Sequence, residues 1–365
     1  MRKFFFSLGL MSGTSADGVD ASIIQSDGDT EYKVILDKYF KYTQNIYNNI
    51  HTLKDEINDS RDLLNLSKKI QLLEKEVTLF HVNVVNEIIK ESKLNIDFIG
   101  FHGQTIFHNA KEKISKQLGD GKLLATLTKK TVIYDFRQND LKNGGHGAPL
   151  TPIFHKLLKK RFKIKDVTFV NIGGIVNITT LLNDDNMTGT DIGPGMCLID
   201  RWVRQKAKKN YDENGIIAKS GNVNKKSLKL LLKNFYEKEN ALTQEPIQSF
   251  DTKYFDFSFV KHLSLEDGAA TLTDFTSQII ISAIKAKNFD KEKIILCGGG
   301  RKNNFLVEKL KEKNIPLKLI DEYGVDGDFV ESQAFAYLAI RSYLKLPISF
   351  PSTTGVSKPC TGGVI

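Results

Sequence analysis

Apolar residues open the chain as a short run, Phe4 to Met11, break at Ser12-Gly13-Thr14-Ser15-Ala16-Asp17-Gly18, and resume at Val19. The expected structure is strand, tight turn, strand. Lys33 to Tyr42 alternates and predicts a third strand. A helical region begins near Arg61, where Leu66, Ile70, Leu73, Val77, Phe80, Val84 and Ile88 recur at three- and four-residue spacings and form one core-facing stripe. Ile96 to Gly100 predicts a short buried strand that delivers Phe101-His102-Gly103-Gln104-Thr105 at its end. Gly119 to Leu127 predicts a further hairpin, and Val132-Ile133-Tyr134 a strand running into Asp135-Phe136-Arg137. A glycine-dense loop, Asn143 to Leu150, precedes a lysine-rich helix from about Pro152.

The opening device then returns. Val167 to Thr180 again predicts strand, glycine turn (Gly173-Gly174) and strand, followed by Gly189-Thr190-Asp191-Ile192-Gly193-Pro194-Gly195 and the apolar start of a helix. Tyr211 to Phe255 is polar and weakly periodic apart from one helix near Leu228 to Phe235, and suits a flap over a cleft as well as a surface excursion. Leu272, Phe275, Ile279, Ala283 and Ala286 share one helical face. Lys293 to Cys297 predicts a buried strand ending in Gly298-Gly299-Gly300, and Val330 to Leu344 a helix with Glu331 in its first turn. The tail after Lys345 is expected to pack back on the first domain.

Length and composition narrow the class. At 365 residues two domains are expected, with a cleft between them as the natural place for a site. A 41% hydrophobic and 26% charged chain with eight prolines is globular. Net charge is +9, but the lysines are scattered as on solvated helix faces and no nucleic-acid reader motif accompanies them, so nucleic acid is not favoured, and an anionic small substrate is equally compatible with the charge. Cys197, Cys297 and Cys360 form neither a disulfide framework nor a zinc pattern, which fits a reducing cytoplasm. The apolar run after Arg2-Lys3 stops at Met11 without a small-residue cleavage site, and no stretch approaches the ~20 apolar residues of a membrane span.

The glycine turns carry the candidate chemistry. Gly13 and Gly18 let the backbone approach a ligand, Thr14 and Ser15 add hydroxyls, and Asp17 and Asp20 could orient a metal's waters. Such a turn holds a polyphosphate or simply closes a hairpin; it lacks the Gly-Lys-Ser/Thr of a Walker loop. Asp191, stiffened by Gly-Pro-Gly at a strand end, suits a general base or a turn cap. His102 beside Gln104 reads as a hydrogen-bonding group, and Arg137 as a fork for an anion or as half of an ion pair with Asp135 or Asp140. Three glycines at Gly298, Gly299 and Gly300 leave room for a nucleoside.

Two strand-turn-strand elements, each followed by helices, with a third glycine cluster, resemble the duplicated fold of sugar kinases, actin and the Hsp70 chaperones. That resemblance implies an α/β protein of two ribonuclease-H-like (actin-like ATPase) domains flanking an interdomain cleft. Residues 1–130 with the tail 345–365 would form the N-terminal lobe, and 131–344 the second. The match is narrower still. Leu8 to Ala21, His102 to Thr105, Asp135-Phe136-Arg137, Gly144 to Leu150, Asn171 to Asn177, Asp191 to Gly195, Ala269 to Thr273, Cys297 to Gly300 and Glu331 to Ala336 resemble the anhydro-N-acetylmuramic acid kinase family across nearly the whole chain.

The resemblance implies phosphorylation of 1,6-anhydro-N-acetylmuramic acid on its 6-oxygen by ATP with Mg²⁺ while water opens the anhydro bridge, a step of cell-wall recycling. Asp191 would activate the water and Glu331 would be a second acid. Gly13, Thr14, Ser15, Ala16, Asp17, Gly18, Val19 and Asp20 would cradle ATP, Gly173 and Gly174 would close on its phosphates, and Gly298 to Gly300 would meet the nucleoside. Ser15, His102, Gln104 and Arg137 would read the sugar. The family also implies a cytoplasmic homodimer whose partners are the amino sugar and ATP, with neither nucleic acid nor membrane. A kinase for another amino sugar, or an actin- or Hsp70-type ATPase, is the alternative. Ala16, His146, Thr190, Ile192 and Met196 depart from the family's usual residues, as does Pro246 to Phe255, which lacks the usual lysine and arginine.

Overall fold

Two antiparallel meanders, each handing on to parallel strands, carry the architecture of the computed structural model, which describes residues 3–182, 186–242, 249–286, 293–313 and 315–365. The chain divides into one unit of Met1–Ile164 with Asp328–Ile365 and another of Lys165–Gly327. The division therefore falls later than the 130/131 expected from sequence, and the helix after Val330 belongs to the first unit.

In the first unit the order is β1 (Phe5–Ser12), β2 (Gly18–Ser26), β3 (Tyr32–Lys41), α1 (Gln44–Glu56), α2 (Asp62–Asn65), α3 (Ser67–Ser92), β4 (Phe98–Asn109), β5 (Ile114–Leu118), α4 (Gly121–Thr128), β6 (Thr131–Tyr134), α5 (Gln138–Lys142) and α6 (Pro152–Phe162). β1, β2 and β3 pair antiparallel. β4 runs parallel to β1, and β6 parallel to β4. The stripe on α3 is core as expected: Ile70, Leu73, Val77, Val84 and Ile88 are buried against Leu8, Leu10, Ile23 and Ile99.

The predicted hairpin over Gly119–Leu127 is instead a helix, α4, entered through Gly119 and Asp120 after β5 has ended at Leu118. Asp120 caps α4 by accepting the Leu123 N–H at 2.9 Å, and Lys122 to Ala125 are helix formers that the flanking glycines mask. α1 is an element the periodicity reading passed over. Thr43 caps it, and Ile46, Tyr47, Ile50 and Leu53 face the core.

The second unit repeats the plan with β7 (Val167–Ile172), β8 (Ile175–Leu182), β9 (Asn186–Pro194), α7 (Cys197–Ala207), α8 (Ile216–Ser220), α9 (Lys225–Leu242), α10 (Leu265–Ala286), β10 (Lys293–Cys297), α11 (Asn304–Lys311) and β11 (Leu317–Leu319). Its sheet order is β11-β10-β7-β8-β9, and β3-β2-β1-β4 continued by β6 is the same arrangement in the first unit. Each unit is thus a ribonuclease-H-like α/β fold, as expected. On one face of the second sheet Val170, Ile172, Ile178 and Leu296 form a core with α7 and α10 through Trp202, Leu272, Phe275 and Ile279, and Val167, Phe169 and Ile295, which alternate to the other face, are buried as well.

α12 (Val330–Tyr343) returns to the first sheet, and α13 (Pro351–Thr354) follows. α12 lies so close to β1 and β4 that a Cβ at Gly9 would come within 1.9 Å of the Ser332 carbonyl oxygen, and one at Gly100 within 2.2 Å of that of Phe335. Glycine at both positions is what lets the helix seat. The tail then adds Val364 to Tyr134 at the end of β6.

Candidate active site

Parallel strands gather their C-terminal ends at one sheet edge, where α/β proteins place ligands. In the first unit that edge collects the β1–β2 turn, His102 and Gln104 from β4, and Asp135 to Arg137 after β6. Gly13 to Ala16 form a turn closed by the Ala16 N–H on the Gly13 carbonyl at 3.1 Å. Thr14 and Ser15 are exposed at its apex, whereas Ala16 is buried in the left-handed region at φ 53°. The Ser15 hydroxyl donates to Asp17 Oδ1 at 2.5 Å, and Tyr39 donates to Asp17 Oδ2 at 3.2 Å. Gly18, Val19 and Asp20 open β2.

Gln104 serves this turn with its whole side chain. It is fully buried, opposite Ser12 across a register shift between β1 and β4. Its Oε1 accepts the Ser12 hydroxyl at 2.6 Å and its Nε2 donates to the Gly13 carbonyl at 3.0 Å. Gln104→Leu removes both bonds, but the Ser12 hydroxyl still reaches the Gly18 carbonyl at 2.8 Å and the Gly13 carbonyl keeps the Ala16 N–H, so the expected cost is about 0.5–1.5 kcal/mol for each bond lost, read as a lowered denaturation midpoint.

His102 and Arg137 form the second cluster. His102 is 6% exposed; it donates from Nδ1 to the Gly103 carbonyl at 2.8 Å and accepts Arg137 Nε at 3.1 Å and Nη2 at 2.9 Å on Nε2. Burial, and then the guanidinium beside it, hold His102 well below the ordinary histidine range, so it is a neutral acceptor that aims Arg137. Arg137 Nη1 donates to the Gly147 carbonyl at 2.7 Å. The Asp140 carboxylate, 1% exposed, accepts the Gly147 N–H at 2.6 Å and the Thr354 hydroxyl at 2.5 Å, which pins the glycine loop to the tail. Glu331 is half-buried one turn before Phe335, whose ring lies 4.5 Å from that of His102. Its helix start is fixed by a Ser22–Ser332 hydroxyl pair at 2.6 Å and by Gln333, which donates to Asp37 at 2.9 Å and accepts the Tyr32 hydroxyl.

In the second unit β7, β9 and β10 run the same way, so Gly173-Gly174, Asp191 and Gly298 to Gly300 share one edge. The Gly173 carbonyl accepts the Met196 N–H at 2.9 Å, and that of Gly174 accepts Gly195 at 3.0 Å and Cys197 at 3.2 Å. Asp191 is half-buried, and its Oδ2 accepts the Phe250 N–H at 3.1 Å. A bulge in β9 pairs Asn177 with Asp191 but Val176 with Gly193. Bulges re-aim the side chains beside them. Gly298, at φ 78°, lies where a Cβ would come within 2.5 Å of Asn171 Oδ1, whereas Gly299 faces open space. Arg301 braces this loop through paired contacts of 2.7 and 2.8 Å to Asp321.

Each unit thus gathers its own candidates, with Gly13 to Asp20, His102, Gln104, Arg137 and Glu331 in the first and Gly173, Gly174, Asp191 and Gly298 to Gly300 in the second. The Phe250 amide on Asp191 was missed from sequence. It lies in the atypical 246–255 segment, of which Pro246 to Gln248 fall outside the described residues.

Comparison with known proteins follows the same lines. A family model described as anhydro-N-acetylmuramic acid kinase matches residues 5–365. An anhydro-N-acetylmuramic acid kinase of Pelagibacter ubique is 54% identical over 100% of this chain and 99% of that relative, and one of Zymomonas mobilis is 37% identical over 98% and 99%. Among solved structures, the (R)-2-hydroxyglutaryl-CoA dehydratase component A of Acidaminococcus fermentans covers 93% of this chain and 100% of its own at 11% identity, with a TM-score of 0.47.

Proposed function

The chain belongs to the anhydro-N-acetylmuramic acid kinase family, and from that premise we propose that Asp191 is the base that primes water for opening the anhydro sugar while ATP phosphorylates it. The reaction converts 1,6-anhydro-N-acetylmuramic acid, ATP and water to N-acetylmuramate 6-phosphate and ADP, a step of peptidoglycan recycling. Asp191 takes a proton from water as its oxygen bonds to the anomeric carbon. The bond from that carbon to O6 breaks, and O6 bonds to the γ-phosphorus as the bond to ADP breaks. The observation that carries the assignment is the bulge at Asp191, which sets a half-buried carboxylate at the glycine-lined edge. One oxygen is held by the Phe250 amide, so the carboxylate has a fixed direction.

The turn at Gly13 to Asp20 fits a triphosphate. No described residue takes the N–H of Thr14 or Ser15, and exposed hydroxyls flank them. Gly173 and Gly174 are read as phosphate contacts, and Gly298 to Gly300 as the nucleoside's resting surface. Mg²⁺ would supply charge neutralisation on the phosphates. Asp17 and Asp20 would orient its waters, and since Mg²⁺ keeps several waters beside one or two carboxylates, two acids at the turn suffice. Arg137, aimed by His102, is read as the partner of the sugar's lactyl carboxylate, Ser15 as a sugar contact, Gln104 as the support of the turn between them, and Glu331 as a second acid near the reacting centre. Family membership extends the proposal to a cytoplasmic homodimer. Among the described residues no helix is long and apolar enough to cross a membrane.

ATP turnover is expected only with the anhydro sugar present. Product formed in oxygen-18 water should carry the label on the anomeric hydroxyl. Turnover indifferent to every sugar, or label absent from the sugar, overturns the proposal.

A further inference from the structure

We propose that Lys54 and His51 on α1 are positioning residues of the Gly13–Ala16 turn, Lys54 turning the Ser15 amide toward the phosphates of the nucleotide and His51 drawing the Ser15 carbonyl oxygen away from them. This rests on reading that turn as the triphosphate cradle. A trans peptide unit points its N–H opposite its C=O, so holding a carbonyl sets the direction of the next amide. Three successive carbonyls are held here. Gly13 accepts Gln104 Nε2 at 3.0 Å, Thr14 accepts Lys54 Nζ at 3.2 Å, and Ser15 accepts the His51 Nε2–H at 3.0 Å. With the Gly13 and Thr14 oxygens drawn to their holders, the N–H groups of Thr14 and Ser15 face the other way.

Lys54 and His51 are spaced i, i+3 and so lie on one face of α1. Tyr47, one turn earlier, sets its ring 4.4 Å from that of His51 and fixes the imidazole. The second unit reaches the same end with backbone alone, because the Gly173 and Gly174 carbonyls are taken by the amides of residues 195–197. A phosphate cradle needs its donors outward and its carbonyl oxygens withdrawn. In the first unit α1 is what withdraws two of them.

The test is steady-state kinetics on the full chain. Lys54→Met removes the donor, and is expected to raise KM for ATP on the order of tenfold while leaving KM for the sugar unchanged. Lys54→Gln keeps a donor without the charge and should recover most of that loss. His51→Phe and His51→Gln form the matching pair, and answer the same question should a Lys54 variant not fold. An unchanged KM for ATP in Lys54→Met or His51→Phe, or a Gln variant no better than its apolar counterpart, overturns the proposal. A wild-type chain without sugar-dependent ATP turnover would instead overturn the reading beneath it.

Discussion

Asp191→Asn is expected to lower kcat by roughly 10²–10⁴ while binding of ATP and of the anhydro sugar stays close to that of the parent chain. The substitution is nearly isosteric. Asparagine keeps an oxygen that can accept the Phe250 N–H, now 3.1 Å from Asp191 Oδ2, and the bulge that places residue 191 opposite Asn177 is a backbone feature that the change does not touch. What is lost is the capacity to take a proton from water, which is useful only as the new bond forms, so the loss belongs in kcat. Calorimetric titration of each ligand beside steady-state kinetics separates the two. If the variant keeps most of its turnover, Asp191 is not the base. If it loses binding in proportion, the carboxylate is a substrate contact instead.

Much of the fold was legible because its signals are local. The meanders at Phe5–Lys41 and Val167–Pro194 announce themselves through alternation broken by glycine, and α3 and α10 through apolar positions three and four apart. α4 was missed because Gly119 and Gly121 outweighed Asp120 as a cap. α1 was missed although Thr43 stands three residues before Ile46, with Tyr47, Ile50 and Leu53 in helical register, because polar residues between them dilute the stripe. The site divides the same way. Glycine turns and Asp191 are visible as motifs, but the pairing of Ser12 with Gln104 is set by the shift between β1 and β4, and nothing near Gln104 in sequence says that its side chain faces the turn. The Phe250 amide reaches Asp191 across 59 residues of chain. Contacts of that kind come from tertiary register.

Stability should fall steeply as pH drops from about 6.5 toward 4, well before the paired carboxylates titrate. His81, His102 and His155 are buried. Burial pushes His81 down to about 4 and His155 to about 3, and holds His102 well below its ordinary value; burial also lowers His108 to about 3. In the unfolded chain each takes a proton near pH 6.5. A folded value below the unfolded one means that the unfolded state binds more protons between the two. The stabilisation is therefore complete above pH 6.5 and is lost as pH falls toward the folded values. Four such histidines give a slope of about 5 kcal/mol per pH unit once the unfolded imidazoles are charged, against a total of about 5–15 kcal/mol for a typical domain. Asp135 and Asp212, raised by burial, oppose this weakly near the lower end, where their own protonation begins. Asp59, held at about 2 by Arg61, acts only in stronger acid. Urea denaturation at half-unit steps from pH 8 to 5 reads the slope directly. A free energy of unfolding that stays level across that range would mean the imidazoles gain their protons without leaving the core.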